Sequence, residues 1–178
     1  MGSGVATARE NRRVDIVTAR ALAFSVVGGV NPRWDHVQVV GHRAEDLAAK
    51  HPVVEETVVV AAWLHDVGYG PRLRKTGHHA LDGATFLLAR DCQLDVVRLV
   101  AHHTGAAAEA VERGLTENFA VFEPPDPQSR DILTMIYLSV GPDGSPIVDK
   151  DRISEILKRY SDEHPVHRAV IRSQHDLL

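Results

Sequence analysis

The chain has 178 residues, 44% of them hydrophobic, which is enough to bury the core of one domain of ordinary size. With 20 Lys and Arg against 24 Asp and Glu, its formal charge of −4 argues against nonspecific nucleic-acid binding, because such binding needs a basic surface. Cys92 is the only cysteine, which excludes a disulfide framework and a thiolate zinc site, so we expect a reducing, cytoplasmic location.

The hydropathy of the chain indicates a single domain without a membrane segment. Residues 1–8 are small and polar and lack the apolar segment of a signal peptide, so we expect them to be disordered. No apolar run reaches the length of a membrane span. We expect residues 1–178 to form one domain, with the C-terminal helices of 127–178 packed on its core; the oligomeric state is left open.

Helical periodicity and helix-breaking residues divide the chain into a series of helices. Apolar residues recur at helical spacing in 9–27 before Gly28-Gly29, and Asn31-Pro32 opens a helix that closes at His51-Pro52. Turn residues also cluster in 68–77, 124–127 and 141–146. Because no stretch alternates with the period of a strand, the class is all-α, with helices over 32–50, 53–66, 78–90, 91–104, 127–140, 149–160 and 165–177 and short pieces within 106–121.

The stretch from Val58 to Gly68 combines an apolar run with residues that can bind a metal. Its Val-rich start suits a strand, but the apolar run is too long for one and favours a buried helix. The run leads into His65-Asp66, so a helix end delivers an imidazole and a carboxylate together. Both are ligands for transition metals, and a carboxylate can bridge two ions. The alternative is a helix cap beside a solvated charge.

Three further groups of histidines support the metal interpretation. The chain contains 11 histidines, more than a solvated surface needs. Those on helices or helix ends are separated by 10 to 40 residues, a spacing that suits a site inside a helical bundle. In chain order the candidate groups are His36, His65-Asp66, His78-His79 and His102-His103.

Four ordered motifs resemble the HD-domain superfamily of metal-dependent phosphohydrolases. They are Arg33-Trp34-x-His36, Leu64-His65-Asp66-Val67-Gly68, Gly77-His78-His79-x-x-Asp82-Gly83-Ala84 and His103-Thr104-Gly105. The resemblance covers roughly 33–160 and implies a helical bundle with one or two divalent metal ions, among which Mn, Mg, Fe, Co and Ni are not distinguished. By position it implies His36, His65 and Asp66 as core ligands and His79 and His103 as an additional pair, while the roles of His78 and His102 as ligands stay open.

One residue departs from the family's pattern. A late Asp ligand in that family sits near the end of a helix before a loop, and the matching position here is Tyr137. A neutral phenol is a poor ligand for Mg²⁺ or Mn²⁺, since the ordinary tyrosine pKa is about 10. Asp131 lies nearly two turns away on another face, and Asp143 reaches the site only if its loop folds back.

Basic residues follow the His-Asp pair in the loop 68–77. Arg72, Arg74 and Lys75 form either a solvated charged surface or a phosphate clamp, because guanidinium groups match phosphate oxygens. We expect these three and His102 to bind the substrate.

The expected activity is metal-assisted hydrolysis of a small phosphorylated molecule, with Asp66 as the catalytic, bridging carboxylate. Two alternatives remain open. One is an oxygenase with two irons, a class that also occurs with this histidine set, and for which a nearby tyrosine is favourable. The other is a noncatalytic metal-binding or ligand-binding domain, which loss of the late Asp indicates.

Overall fold

A computed structural model describes residues 13–177 of the chain, with side chains through residue 174. The expected disorder of residues 1–8 lies outside this range and stays a prediction. Within the described range there is no strand beyond an isolated bridge between Val140 and Pro146, so the all-α prediction is confirmed. The helices are α1 (Ile16–Val27), α2 (Arg33–Lys50), α3 (Glu56–Leu64), α4 (His79–Leu88), α5 (Leu94–His102), α6 (Ala106–Glu112), α7 (Thr116–Phe119), α8 (Pro127–Leu138), α9 (Asp149–Arg159) and α10 (Pro165–Leu177).

Helix α3 is the centre of the fold. Every residue from Val58 to Leu64 is buried, and α1, α2, α5 and α8 pack around it. A helix that is apolar on all sides is buried on all sides, so tertiary packing overrides the strand preference of its valines. Trp63, at its end, donates a 2.9 Å hydrogen bond from Nε1 to Glu45 of α2.

The link between α3 and α4 differs from the predicted helix over 53–66. Helix α3 ends at Leu64, and His65 and Asp66 lie between it and a 3₁₀ turn, Val67–Tyr69. Gly68 in this turn lies against the start of α4: a Cβ at Gly68 would stand 1.8 Å from the carbonyl oxygen of His79. Only glycine allows this approach, which brings the His-Asp pair next to the first residue of α4.

The C-terminal helices cover one side of this centre. Helix α8 packs against α2, α3 and α5, while α9 packs on α8, and α10 packs on α6 and α9. Across residues 13–177, every helix is too short or too polar to span a membrane.

Candidate metal centre

The five predicted ligands meet at one place, brought there by four helices. His36 comes from α2, His65 and Asp66 follow α3, His79 begins α4 and His103 follows α5. Oδ2 of Asp66 lies 3.3 Å from Nε2 of His65 and 4.0 Å from Nε2 of His36. Its other oxygen, Oδ1, lies 3.5 Å from Nε2 of His79, which in turn lies 3.2 Å from Nε2 of His103. Asp66 therefore stands between two pairs of imidazoles.

Backbone carbonyls orient three of these imidazoles. Nδ1 of His36 lies 2.7 Å from the carbonyl oxygen of Gly141, and Nδ1 of His65 and of His103 lie 2.8 and 2.7 Å from the carbonyl three residues earlier. A carbonyl only accepts, so each Nδ1 carries the proton and each Nε2 presents its lone pair to the cluster. This arrangement is the usual support of metal-binding histidines.

Three buried ligand atoms have no hydrogen-bond partner among the described residues: Nε2 of His36, Nε2 of His65 and Oδ1 of Asp66. Unpaired buried polar atoms are rare, because each loses its hydration without compensation. Two ligands bound about 2.1 Å from one ion, at angles of about 90–110°, stand about 3.0–3.4 Å apart, close to most of the separations seen here. The residues thus fit two ions that share Asp66, in two triads: His36, His65 and Asp66 form the first triad, and Asp66, His79 and His103 the second.

Burial and neighbouring charges shift the pKa values of four members of the cluster. Burial lowers the pKa of His36 to about 3 and of His103 to about 4, and also lowers that of His79, although Asp66 opposes this in all three. Burial by itself raises the pKa of Asp66, but the neighbouring His65 and Arg33 hold it well below the ordinary value. At neutral pH the three histidines are neutral and Asp66 is a carboxylate.

Arg33 is a member of the cluster that the sequence analysis quoted in a motif but did not assign to the site. Its Nη1 donates a 2.8 Å hydrogen bond to Oδ2 of Asp66, and its guanidinium lies 4.1 Å from the centre of the Tyr69 ring. The ring of Tyr69 also stacks on His79 at 4.3 Å. Arg33 and Tyr69 together hold the Asp66 carboxylate and the His79 ring in place.

Tyr137, which the sequence analysis matched to the position of the family's late Asp, lies against the first triad. The centre of its ring is 5.2 Å from His36, 5.6 Å from His65 and 6.0 Å from His103. Its hydroxyl accepts a 3.2 Å hydrogen bond from Nη2 of Arg152. In the described part of the chain, the first triad gains no fourth Asp, Glu, His or Cys.

Neither alternative carboxylate replaces the late Asp. Asp131 is exposed and pairs with Arg130, on the far side of α8. The loop of Asp143 does fold back, but it reaches His36 through the carbonyl of Gly141, while the Asp143 carboxylate accepts hydrogen bonds from Ser145.

The first histidine of each adjacent pair turns away from the cluster. His78 caps α4, accepting at Nδ1 from the Leu81 amide and donating from Nε2 to the Ala106 carbonyl. His102 directs Nε2 to the carbonyl of Phe122 at 2.8 Å and packs edge-on against Phe119. The structure does not bring His102 to the site as expected for a substrate-binding residue, because neighbouring helical residues point about 100° apart.

The basic loop is only partly at the site. Arg74 donates from Nε to the carbonyl of Tyr69 at 2.9 Å and lines a shallow pocket beside His79. Arg72 instead lines a separate pocket with Phe86 and Arg90, and the exposed Lys75 contributes a backbone amide to Asp82. The three residues do not form the single clamp that we expected, because the loop places Arg72 and Arg74 in different pockets.

A cleft of about 660 Å³, counted to its open mouth, adjoins the metal centre. Arg33, His79 and Tyr137 form its inner wall, and α9 and α10 form its outer walls. Arg152 and Arg159 of α9 also line it, and the sequence analysis missed both. Their spacing with Ile156 puts all three on one face of α9. The sequence of α9 does not show which part of the fold this face packs against, so the two arginines could not be assigned to the cleft.

Comparison with known proteins gives one family. The family model described as HD domain matches residues 33–165, about three quarters of the chain. No curated protein and no solved structure matches the chain. The matched region contains the His-Asp pair and every member of the two triads. The chain therefore belongs to the HD domain family, the metal-dependent phosphohydrolase type that its motifs resemble.

Proposed function

We propose that this protein is a metal-dependent phosphohydrolase that acts on a small phosphorylated molecule, a phosphomonoester or a nucleotide. The observation that carries the proposal is the placement of Asp66, with one oxygen toward each pair of histidines. Divalent ions bound there would polarise phosphoryl oxygens and bring the pKa of a coordinated water to about 7. The neutral histidines supply lone pairs, and Asp66 supplies the negative charge that both ions share.

The chain supplies fixed cations for the phosphate. Arg33 is held by Asp66 on one side and by the Tyr69 ring on the other, so its guanidinium is oriented before a substrate arrives. Arg159 lines the same cleft, and Arg74 stands in the pocket beside His79. Positioned guanidinium groups stabilise charge that develops on phosphoryl oxygens.

The side chains that line the cleft suit a small organic phosphate. Helices α8, α9 and α10 contribute apolar side chains, including Leu138, Ile156 and Val170, that suit the organic part of an ester. The formal charge of −4 argues against a nucleic-acid polymer as the substrate.

The test is phosphate release from a panel of small phosphomonoesters and nucleotides, with Mn²⁺, Mg²⁺, Co²⁺, Ni²⁺ or Fe²⁺ added to chelator-treated protein. We expect activity that depends on the metal and is lost in Asp66→Asn, which keeps the shape of the side chain but removes its charge. Asp131→Asn, on the exposed face of α8, is the matched control and should keep full activity. Phosphate release by Asp66→Asn at the rate of the unchanged protein would contradict the proposal.

The oxygenase and the noncatalytic alternatives give different results in the same preparations. Oxygen consumption by iron-loaded protein, without phosphate release, would support the oxygenase. Absence of bound metal after loading would support a noncatalytic domain.

A further inference from the structure

The first triad has a neutral neighbour where a carboxylate is expected. It provides His36, His65 and Asp66, and its remaining side is covered by the phenol ring of Tyr137. Divalent ions of the hard type prefer more oxygen ligands than this triad provides. Metal bound there needs a further anionic or oxygen ligand from outside the protein.

Arg152 adds a positive charge beside the phenol. Its side chain is 1% exposed, its Nη2 donates to the hydroxyl of Tyr137, and its guanidinium lies 5.4 Å from the centre of the ring. Its Nε is buried without a hydrogen-bond partner among the described residues, and Arg152 lines the cleft. A buried donor without a partner is costly, so it favours a ligand that accepts from it.

The nearby carboxylates do not fully neutralise the guanidinium groups of Arg152 and Arg159. Glu155 accepts from both Arg152 and Arg159, so one negative charge serves two guanidiniums. Glu109, which also lines the cleft, pairs with Arg113, and Asp66 pairs with Arg33. The α9 side of the cleft therefore keeps one uncompensated positive charge, where a family member with the late Asp has a negative one.

We propose that Tyr137 and Arg152 form an oxyanion site beside the first triad, and that a phosphate group bound there takes the place of the missing carboxylate. Metal and phosphate then bind cooperatively: each is held more tightly when the other is present, because the phosphate oxygens contact both the metal and the Arg152 guanidinium. The inference rests on the proposed metal centre and adds that this chain's metal affinity depends on its phosphorylated ligand.

The test measures Mn²⁺ binding to chelator-treated protein by the paramagnetic signal of free Mn²⁺, with inorganic phosphate or with chloride at the same ionic strength. We expect phosphate to tighten Mn²⁺ binding about tenfold, within the usual range of coupling between sites. By reciprocity, Mn²⁺ should tighten phosphate binding by the same factor. Titration of Mn²⁺ into phosphate without protein corrects for their direct association.

Three variants separate the oxyanion site from a general effect of charge. Arg152→Gln removes the cation and Tyr137→Phe removes the hydroxyl that holds it; both should reduce the phosphate effect to about twofold or less. Tyr137→Asp supplies a carboxylate, so it should bind Mn²⁺ more tightly without phosphate and lose the dependence. Arg130→Gln, on the exposed side of α8, should behave as the unchanged protein.

The outcomes distinguish this inference from the proposed function. Mn²⁺ that binds equally well with phosphate and with chloride overturns the oxyanion site and leaves the metal centre intact. Absence of Mn²⁺ binding in both solutions overturns the metal centre and the inference with it. Circular dichroism checks that each variant is folded; if Arg152→Gln unfolds because of its burial, Tyr137→Phe alone decides, and an unchanged phosphate effect in it overturns the inference.

Discussion

Arg33 donates a 2.8 Å hydrogen bond from Nη1 to Oδ2 of Asp66, the oxygen that also faces His36 and His65. The bond fixes the rotation of the carboxylate, so that its other oxygen is left for the second triad. Burial makes this orientation strong, since the Asp66 side chain is 1% exposed and water cannot replace the arginine.

Replacing Arg33 with Gln should therefore lower phosphate release about 10- to 100-fold, the range found when groups that orient metal ligands are removed. Gln is shorter and uncharged, so it neither reaches Asp66 in the same way nor supports a phosphate. Arg98→Gln, at the surface, is the matched control. Equal activity of the two variants would show that Asp66 needs no orienting group.

Substitutions in the two triads should change the number of metal ions bound per chain in different ways. His36→Gln should remove one ion per chain and His103→Gln the other, while Asp66→Asn should remove both, because only Asp66 belongs to both triads. Elemental analysis after loading and desalting, with inorganic phosphate present throughout, measures the result. His42→Gln, an exposed histidine of α2, should retain the full content. Loss of both ions from His36→Gln would show that the triads are not independent.

The convergence of the five candidate ligands was predictable because it depends on the order of motifs along the chain, and each motif sits on a helix or helix end that its own sequence defines. Tyr137 was predictable for the same reason, as its helix ends before a turn. The positions of the basic side chains at the cleft were not predictable. Which side chain of the loop reaches the site depends on the path of residues 71–77, and Arg152 contacts Tyr137 only because α9 packs on α8. The direction of the His102 side chain, toward the carbonyl of Phe122, also depends on the last turn of α5.

Metal-free protein should lose stability as the pH falls below neutral. Folding lowers the pKa of His36 from 6.5 to about 3 and of His103 to about 4, so the unfolded chain binds more protons between these values. The stability contributed by the neutral histidines is complete above about pH 6.5 and is lost as the pH falls through about 4 for His103 and about 3 for His36. The melting temperature in chelator, followed over this range, should drop more steeply than in His36→Gln.

The basic loop should divide into one residue that affects the substrate and two that do not. Arg74→Gln should raise KM for a phosphorylated substrate several-fold with little change in kcat, because Arg74 stands beside His79. Arg72→Gln and Lys75→Gln are matched controls in the same loop, and neither should change KM, because Arg72 faces another pocket and the Lys75 side chain is exposed. A larger effect from Arg72 than from Arg74 would show that the loop closes differently on the substrate.

Substitution of Gly68 should disrupt the second triad while the domain still folds. A Cβ at this position would stand 1.8 Å from the carbonyl oxygen of His79, so Gly68→Ala must push the start of α4 away from the His-Asp pair. Overpacking of this kind costs about 1–3 kcal/mol, which a domain of this size can survive. Because His79 moves relative to Asp66, we expect the variant to fold with a lower melting temperature and to retain one ion per chain instead of two. Gly29→Ala is the control, since nothing in the described chain lies within 4 Å of its Cβ position. Two ions in Gly68→Ala, at normal affinity, would mean that the second triad does not depend on this contact.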